Sequence, residues 1–254
     1  MIKPNAMLLK DRTALVTGAA TGIGEAIARL FAAEGAHVQL FDRDLSGCAA
    51  VAESIAAAGG SAAASAGDVR NPGEIMAAVR SAMDRFGRID ILINNAGIFP
   101  RRAFLEMSEA EWDEMQDVNL KSMFHTSKAV LPQMVSQHNG KIVNVSSVTF
   151  HLGVPGLTHY VASKGGVIGL TRSLAREMGP HNIHVNCVTP GAIHTRSEAN
   201  FVNDEQVRQF VASQSLQRRI TPLDVARACL FLSSELSDGM TGQTLNVDGG
   251  WAMH

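Results

Sequence analysis

Short apolar runs alternate with amphipathic stretches along nearly the whole chain, and this alternation leaves few folds open. Residues 13–16, 37–41, 89–93, 141–145, 183–188 and 243–247 read as strands, each a buried-looking run bounded by turn residues. A further strand is expected within the Ala-rich tract 56–66. Between them lie helical patterns at 23–33, 46–58, 72–86, about 108–136, 160–178 and from Thr221-Pro222 onward. Gly35 and Gly87 stand where helix-ending glycines belong, and Pro72 stands in a first turn. Strand–helix alternation implies βαβ crossovers. The predicted class is therefore α/β: a Rossmann-type, doubly wound parallel sheet of about seven strands with helices on both faces. No Pro/Ser linker, composition break or internal repeat divides the 254 residues, so one domain, 1–254, is expected, with 1–10 as a flexible lead. Met1 and Met7 both qualify as the native start.

Composition narrows the function. With 22 basic and 24 acidic residues the chain is near neutral, which argues against nucleic acid as a partner. Cys48, Cys187 and Cys229 are scattered and form no CxxC, as fits a reducing compartment rather than a disulfide scaffold. No apolar run reaches a membrane span, and the first residues lack the apolar core of a signal peptide, so a cytoplasmic location and no membrane partner are expected. The nine histidines are dispersed. His181 and His184 bracket a strand start, and no metal site is expected.

The first strand runs into Thr17-Gly18-Ala19-Ala20-Thr21-Gly22-Ile23-Gly24. Glycines here let the backbone turn sharply and approach a pyrophosphate, while the following helix offers free N–H groups and a positive dipole end. Three glycines also make an ordinary βα turn. Asp42 tips the balance. It ends the second strand, 18 residues after Gly24, close to the spacing of a carboxylate that accepts hydrogen bonds from the ribose hydroxyls of NAD and repels a 2′-phosphate. Arg43 beside it pulls toward NADP.

The single tyrosine, Tyr160, precedes Lys164 by four residues, one helical turn, so both side chains can enter one cleft. An ammonium about 5 Å from a phenol favours phenolate by roughly 3 kcal/mol at an effective dielectric of about 20, some two pKa units down. That would bring Tyr160 into range as a general base. Ser147, after the strand at 141–145, can hydrogen-bond the reacting oxygen. A buried aromatic with a snorkelling lysine explains each residue singly but not the set.

With these motifs in their order, the sequence resembles the short-chain dehydrogenase/reductase family over essentially its whole length. The glycine turn, Gly18, Thr21, Gly22, Ile23 and Gly24, is similar to that family's nucleotide turn. Asp68-Val69 resembles the pair flanking the adenine. Asn94-Asn95-Ala96-Gly97 resembles the motif that braces the sheet and lines the cofactor cleft. The resemblance implies a catalytic tetrad of Asn119, Ser147, Tyr160 and Lys164. Tyr160 would exchange the hydroxyl proton, Lys164 would tune it and bond the nicotinamide ribose, Ser147 would polarise the substrate oxygen, and Asn119 would support a water linking Lys164 to solvent. Pro190, Gly191, Ile193 and Thr195 would hold the nicotinamide carboxamide. The implied cofactor is NAD, with NADP as the second choice, Asp42 outweighing Arg43 and Thr21 being neutral.

The implied activity is interconversion of a secondary alcohol and a ketone. Phe99, Pro100 and Arg101, residues 149–157 and, of the polar segment at 192–217, the part after Thr195 would form the pocket for a small, apolar, aromatic or cyclic substrate. Thr158-His159-Tyr160 and the last seven residues faintly resemble phenylethanol-type and pyridoxal-type dehydrogenases. Alternatives are an acyl-carrier-protein-linked ketoreductase, weakened by the absence of Lys and Arg from 136–139 and 179–182, and a dinucleotide-sensing protein without activity. Gly165, Gly166 and Gly169 in the Tyr helix, with the apolar C-terminus, suggest close packing against a second copy and a homotetramer, or failing that a dimer.

Overall fold

The computed structural model describes residues 7–195 and 202–253. Seven parallel strands form one sheet: β1 (Thr13–Thr17), β2 (His37–Asp42), β3 (Ser61–Ala66), β4 (Ile91–Asn94), β5 (Gly140–Val145), β6 (Ile183–Pro190) and β7 (Thr244–Val247). Their order is β3-β2-β1-β4-β5-β6-β7. The chain winds outward from β1 in one direction and from β4 in the other. The crevice where the winding reverses, at the carboxyl ends of β1 and β4, is where such sheets bind ligands. Registers Val16↔Ile93 and Asn94↔Asn144 carry the centre of the sheet to that edge.

The helices are α1 (Gly22–Ala33), α2 (Leu45–Ala57), α3 (Pro72–Phe86), α4 (Glu109–Gln116), α5 (Ser122–Gln137), α6 (Thr149–Leu152), α7 (Thr158–Met178), α8 (Asp204–Ala212) and α9 (Pro222–Ser233). One apolar cluster joins α1, α2 and α9 to one face of the sheet. A second joins α3, α5 and α7 to the other. The central strands β1, β4 and β5 are buried at every position, which is why they read as continuous apolar runs rather than alternations.

Three readings need correction. The lead is not loose through residue 10: Leu9 is buried and its N–H bonds Glu34 O at 2.9 Å, while residues 1–6 lie outside those described. The helical stretch at 108–136 is two α-helices joined by a π-helical turn, Asp117–Lys121. The polar segment at 192–217 contains α8. Its residues 196–201, and His254 at the C-terminus, lie outside the described part.

Candidate active site

The glycine turn is held by its neighbours. Gly18 and Gly22 adopt φ of +64° and +62°, a region open to glycine at little cost. A Cβ on Gly18 would stand 2.9 Å from Ala96 Cα, and one on Gly24 would stand 2.0 Å from Gly18 O. Asn95 Nδ2 donates to Thr17 O and Gly18 O, both at 3.1 Å. The N–H groups of Asn95 and Ala96 donate to Thr17 Oγ1. These bonds tie the turn after β1 to the end of β4. Thr21, at the N-cap of α1, gives no side-chain cap, so the first amides of the helix remain for an anion.

Asp42 ends β2 against this turn, its Oδ2 accepting from Ala20 N at 3.2 Å and its Oδ1 from Asp44 N at 3.1 Å. Arg43 is exposed next to it. Asp68 is gripped by Arg70, whose Nη2 lies 2.6 Å from Oδ2; this bond first, and Arg43 more weakly, hold the Asp68 carboxyl below its ordinary range. Val69 is buried in the core behind it. Across the cleft, Thr195 Cγ2 lies 3.4 Å from where a Gly22 side chain would begin. Gly191 N bonds Val247 O, Pro190 O accepts from Val148 N, and buried Ile193 bridges Ile220. The turn, the acid and the 190–195 segment thus face one another. A backbone cradle that a Cβ would fill, an uncapped helix end and a carboxylate one strand away fit a dinucleotide.

The four polar residues of the expected tetrad converge beside it. Lys164 and Ser147 are buried, and Tyr160 is half-buried. Lys164 Nζ sits 5.5 Å from the centroid of the Tyr160 ring and donates to Val145 O at 2.9 Å. Ser146 Oγ donates to Lys164 O at 2.7 Å, pinning α7 to the end of β5. Ser147 Oγ accepts from Thr149 N at 3.2 Å and Thr149 Oγ1 at 3.0 Å, so the first residue of α6 orients it. Asn119 lies in the π-helical turn, fully buried. Its Oδ1 accepts from Ile98 N and its Nδ2 donates to Ile98 O, each at 2.8 Å. Asn119 Oδ1 and Lys164 Nζ approach the same point, 3.0 and 3.7 Å from where a side chain on Gly97 would start. A side chain there would be tight, and the Asn119 amide would have to give way by a few tenths of an ångström to admit it.

The electrostatics depart from the sequence reading. Tyr160 is not pulled down by Lys164. Burial raises its pKa first, and a hydrogen bond from Ser147 draws it partly back. Burial also lowers Lys164 to about 8. The ammonium is spent on the Val145 carbonyl, and taking a phenol and a lysine out of water disfavours both charged forms. The attraction between the two charges does not offset that desolvation.

Sequence reasoning also missed a buried polar chain. Thr126 Oγ1 donates to Asn94 Oδ1 at 2.6 Å, Asn94 Nδ2 to Asn144 Oδ1 at 2.8 Å, and Asn144 Nδ2 to Thr171 Oγ1 at 3.0 Å. It ties α5, β4, β5 and α7 together beneath the site. Asn144 in an apolar strand was the available signal. The glycines of α7 have local causes as well. A Cβ on Gly165 would meet Phe150 at 2.9 Å, and one on Gly166 would meet Leu120 at 2.6 Å. Only Gly169 faces open space.

The cleft encloses about 290 Å³. Ser147, Tyr160 and Lys164 form one side with Asn95 and Gly97. Phe99, Val154, Leu157, Val202, Phe210 and Trp251 supply apolar walls. Phe99 meets the Tyr160 ring edge-on at 6.5 Å, and Phe210 meets Trp251 at 5.5 Å, closing α8 onto the C-terminal turn. Asp248 holds that turn by accepting from Gly250 N and Ala252 N. Phe150 and Leu152, expected in the wall, are half exposed on α6, and Phe150 packs on Gly165 instead. Among the described residues, no helix is long and apolar enough to cross a membrane.

Residues 18–252 match a family model described as enoyl-(acyl carrier protein) reductase. The chain is 40% identical over 242 residues to a 3-oxoacyl-(acyl-carrier-protein) reductase of Chlamydia pneumoniae, covering 95% of this chain and 97% of that one. It is 39% identical over 244 residues to a probable galactose dehydrogenase of Rhizobium meliloti, covering 95% of each. A crystal structure of a putative short-chain alcohol dehydrogenase from Sinorhizobium meliloti superposes with a TM-score of 0.92 at 37% identity, covering 97% of this chain and 98% of that one.

Proposed function

The chain belongs to the short-chain dehydrogenase/reductase family of NAD(P)-dependent oxidoreductases, and we propose that it interconverts a secondary alcohol and a ketone with Tyr160 as the proton carrier. The observation that carries this reading is the convergence of Ser147, Tyr160 and Lys164 on one apolar cleft beside the glycine turn. When bound, the nicotinamide supplies the hydride acceptor or donor. In oxidation Tyr160 takes the hydroxyl proton as the carbinol hydride leaves; in reduction it returns that proton to the oxygen. Because burial keeps the phenol protonated at neutral pH, the site stands ready as an acid, and oxidation is favoured as pH rises. Ser147 holds the reacting oxygen. Lys164 places a positive charge over the Tyr160 ring, and Asn119 fixes the loop after β4. Turnover of a panel of secondary alcohols and ketones, followed at the nicotinamide absorbance with NAD⁺ and NADP⁺, tests the reading. No turnover with any substrate would favour a dinucleotide-sensing role.

The preferred cofactor is NAD. The placing of Asp42 against the glycine turn supports this, since a carboxylate there accepts ribose hydroxyls and repels a 2′-phosphate. Asp42→Ala is expected to cut the NAD⁺/NADP⁺ ratio of kcat/KM by roughly ten-fold, the effect of losing one charge-assisted contact. Equal use of both cofactors by the wild type would show that Arg43 outweighs it.

The 3-oxoacyl ketoreductase reading keeps the same chemistry with a carrier-bound substrate, and the similarity to the Chlamydia reductase speaks for it. A cytoplasmic homotetramer is the expected setting. Phe104, Leu105 and Phe124 expose 64, 95 and 49% of their surfaces, more than a lone subunit gains from leaving in water. Light scattering at micromolar concentration checks it, an active 27 kDa species being the contrary result.

A further inference from the structure

The cleft is mostly apolar; besides the neutral polar side chains of Asn95, Ser146, Thr149 and Thr195, two places stand out. One is the Ser147, Tyr160 and Lys164 group at its floor. The other is Arg101 at its mouth. Among the described lining residues these two cations, Lys164 and Arg101, meet no Asp or Glu. The next residue behaves differently. Arg102 pairs with Glu111, Nη2 to Oε1 at 2.7 Å, and its backbone N–H bonds Gly156 O at 2.9 Å. Arg101 instead reaches across the cleft mouth to a neutral acceptor, its Nη1 donating to Pro155 O at 3.3 Å. The loop after β4 is thereby zipped to the loop before α7. The guanidinium is held at the rim by a carbonyl that does not neutralise it.

An arginine fork matches a carboxylate in two parallel hydrogen bonds, and Arg101 is exposed, so its fork is open to one that enters the cleft. Lys164 is occupied by Val145 O and lies at the floor, so it does not serve the same end of a substrate. We propose that the substrate of this site is a hydroxy acid or oxo acid, its reacting carbon at Ser147 and Tyr160 and its carboxylate, at the opposite end, on Arg101. The apolar body between them lies along Phe99, Leu157 and Trp251. This inference rests on the alcohol–ketone chemistry proposed above and names the substrate class for it. A neutral sugar would leave the guanidinium without an anionic partner, and a carrier-bound thioester would present no carboxylate to it.

The test compares hydroxycyclohexanecarboxylate and hydroxybutyrate, each with its own methyl ester, in NAD⁺-dependent oxidation. The ester keeps the skeleton and removes the charge. The wild type is expected to favour each acid over its ester by at least ten-fold in kcat/KM. Arg101→Gln should lower that ratio by roughly 10- to 100-fold, the range of a charge-assisted pair, through KM rather than kcat. Arg101→Lys should restore part of it. Arg102→Gln breaks the neighbouring pair with Glu111 and should leave the ratio alone. A hydroxyalkyl phosphate in the same assay separates a site for carboxylates from one for any anion, and a preference for the phosphate would overturn the assignment to a carboxylic acid. A second readout needs no turnover: cyclohexanecarboxylate, which has no hydroxyl to oxidise, should bind the NADH complex at least ten-fold more tightly in the wild type than in Arg101→Gln, by calorimetry. Equal turnover of acid and ester, or equal binding by the two proteins, overturns the carboxylate assignment while the alcohol–ketone reading stands. If no alcohol or ketone is turned over at all, both fall.

Discussion

The wall of the cleft built from β1, α1 and the end of β4 is locked from behind, whereas the opposite rim is made of short helices and loops. On the first wall Thr17, Gly18, Gly24 and Asn95 leave no room for another side chain, and the Thr126–Asn94–Asn144–Thr171 chain braces the strands beneath. On the rim, the four-residue α6, the nine-residue α8 and the Trp251 turn meet through a few apolar contacts and the clasp of Asp248. In the proposed reaction the frame would set where hydride and proton move, and the rim would set what is admitted. Rigid placement of the reacting groups with an adaptable mouth is what separates chemistry from specificity.

The largest expected effect falls on the frame. Gly24→Ala places a methyl 2.0 Å from the Gly18 carbonyl and 2.7 Å from Asn95 Nδ2, so backbone must move. A loss of at least about 3 kcal/mol of stability is expected, at the upper end of overpacking, together with loss of NADH binding. Urea denaturation and a fluorescence titration check both; an unchanged midpoint would break the contrast. Ser147→Ala stands between the two regions. Removing a donor to the reacting oxygen should lower kcat by about 10²-fold. It also removes the bond that draws Tyr160 downward, leaving burial unopposed. The tyrosine pKa then rises further, so the pH at which oxidation reaches its plateau should move up. A pH–rate profile that moved down, or stayed put, would show that Ser147 does not act on Tyr160. Trp251→Ala is the mildest. It removes the contact with Phe210 and costs about 1 kcal/mol of stability. KM should rise several-fold at nearly constant kcat. A matching fall in kcat would mean that the rim takes part in the chemistry.

The same contrast governs how much could be read from the residues. The strands and the parallel sense of the sheet followed from buried runs and helical spacing, and even Ser61–Ala66 was expected inside its Ala-rich tract. The frame residues announced themselves as glycines and an acid at fixed spacing. The π-helical turn did not, because its cause lies elsewhere in the chain: Asn119 is held by both polar groups of the Ile98 backbone. Helix α8 was hidden in a polar segment, although Asn203 and Gln206 form a capping box and Val207, Phe210 and Val211 make an apolar stripe. The direction of the Tyr160 shift was misread because charge spacing is visible in sequence and burial is not. Rim residues were legible as candidates only, since nothing local tells an apolar loop residue that lines a cleft from one, like Phe150, that packs on a glycine.

The central claim, that Tyr160 carries the substrate proton, is tested most directly by Tyr160→Phe, which keeps the ring against Phe99 and Lys164 and removes only the hydroxyl. Turnover of the best secondary alcohol is measured alongside NADH binding by fluorescence. The account predicts a fall in kcat of at least about 10²-fold with the NADH dissociation constant changed less than three-fold. Turnover within a few-fold of the wild type, with NADH still bound, would contradict it.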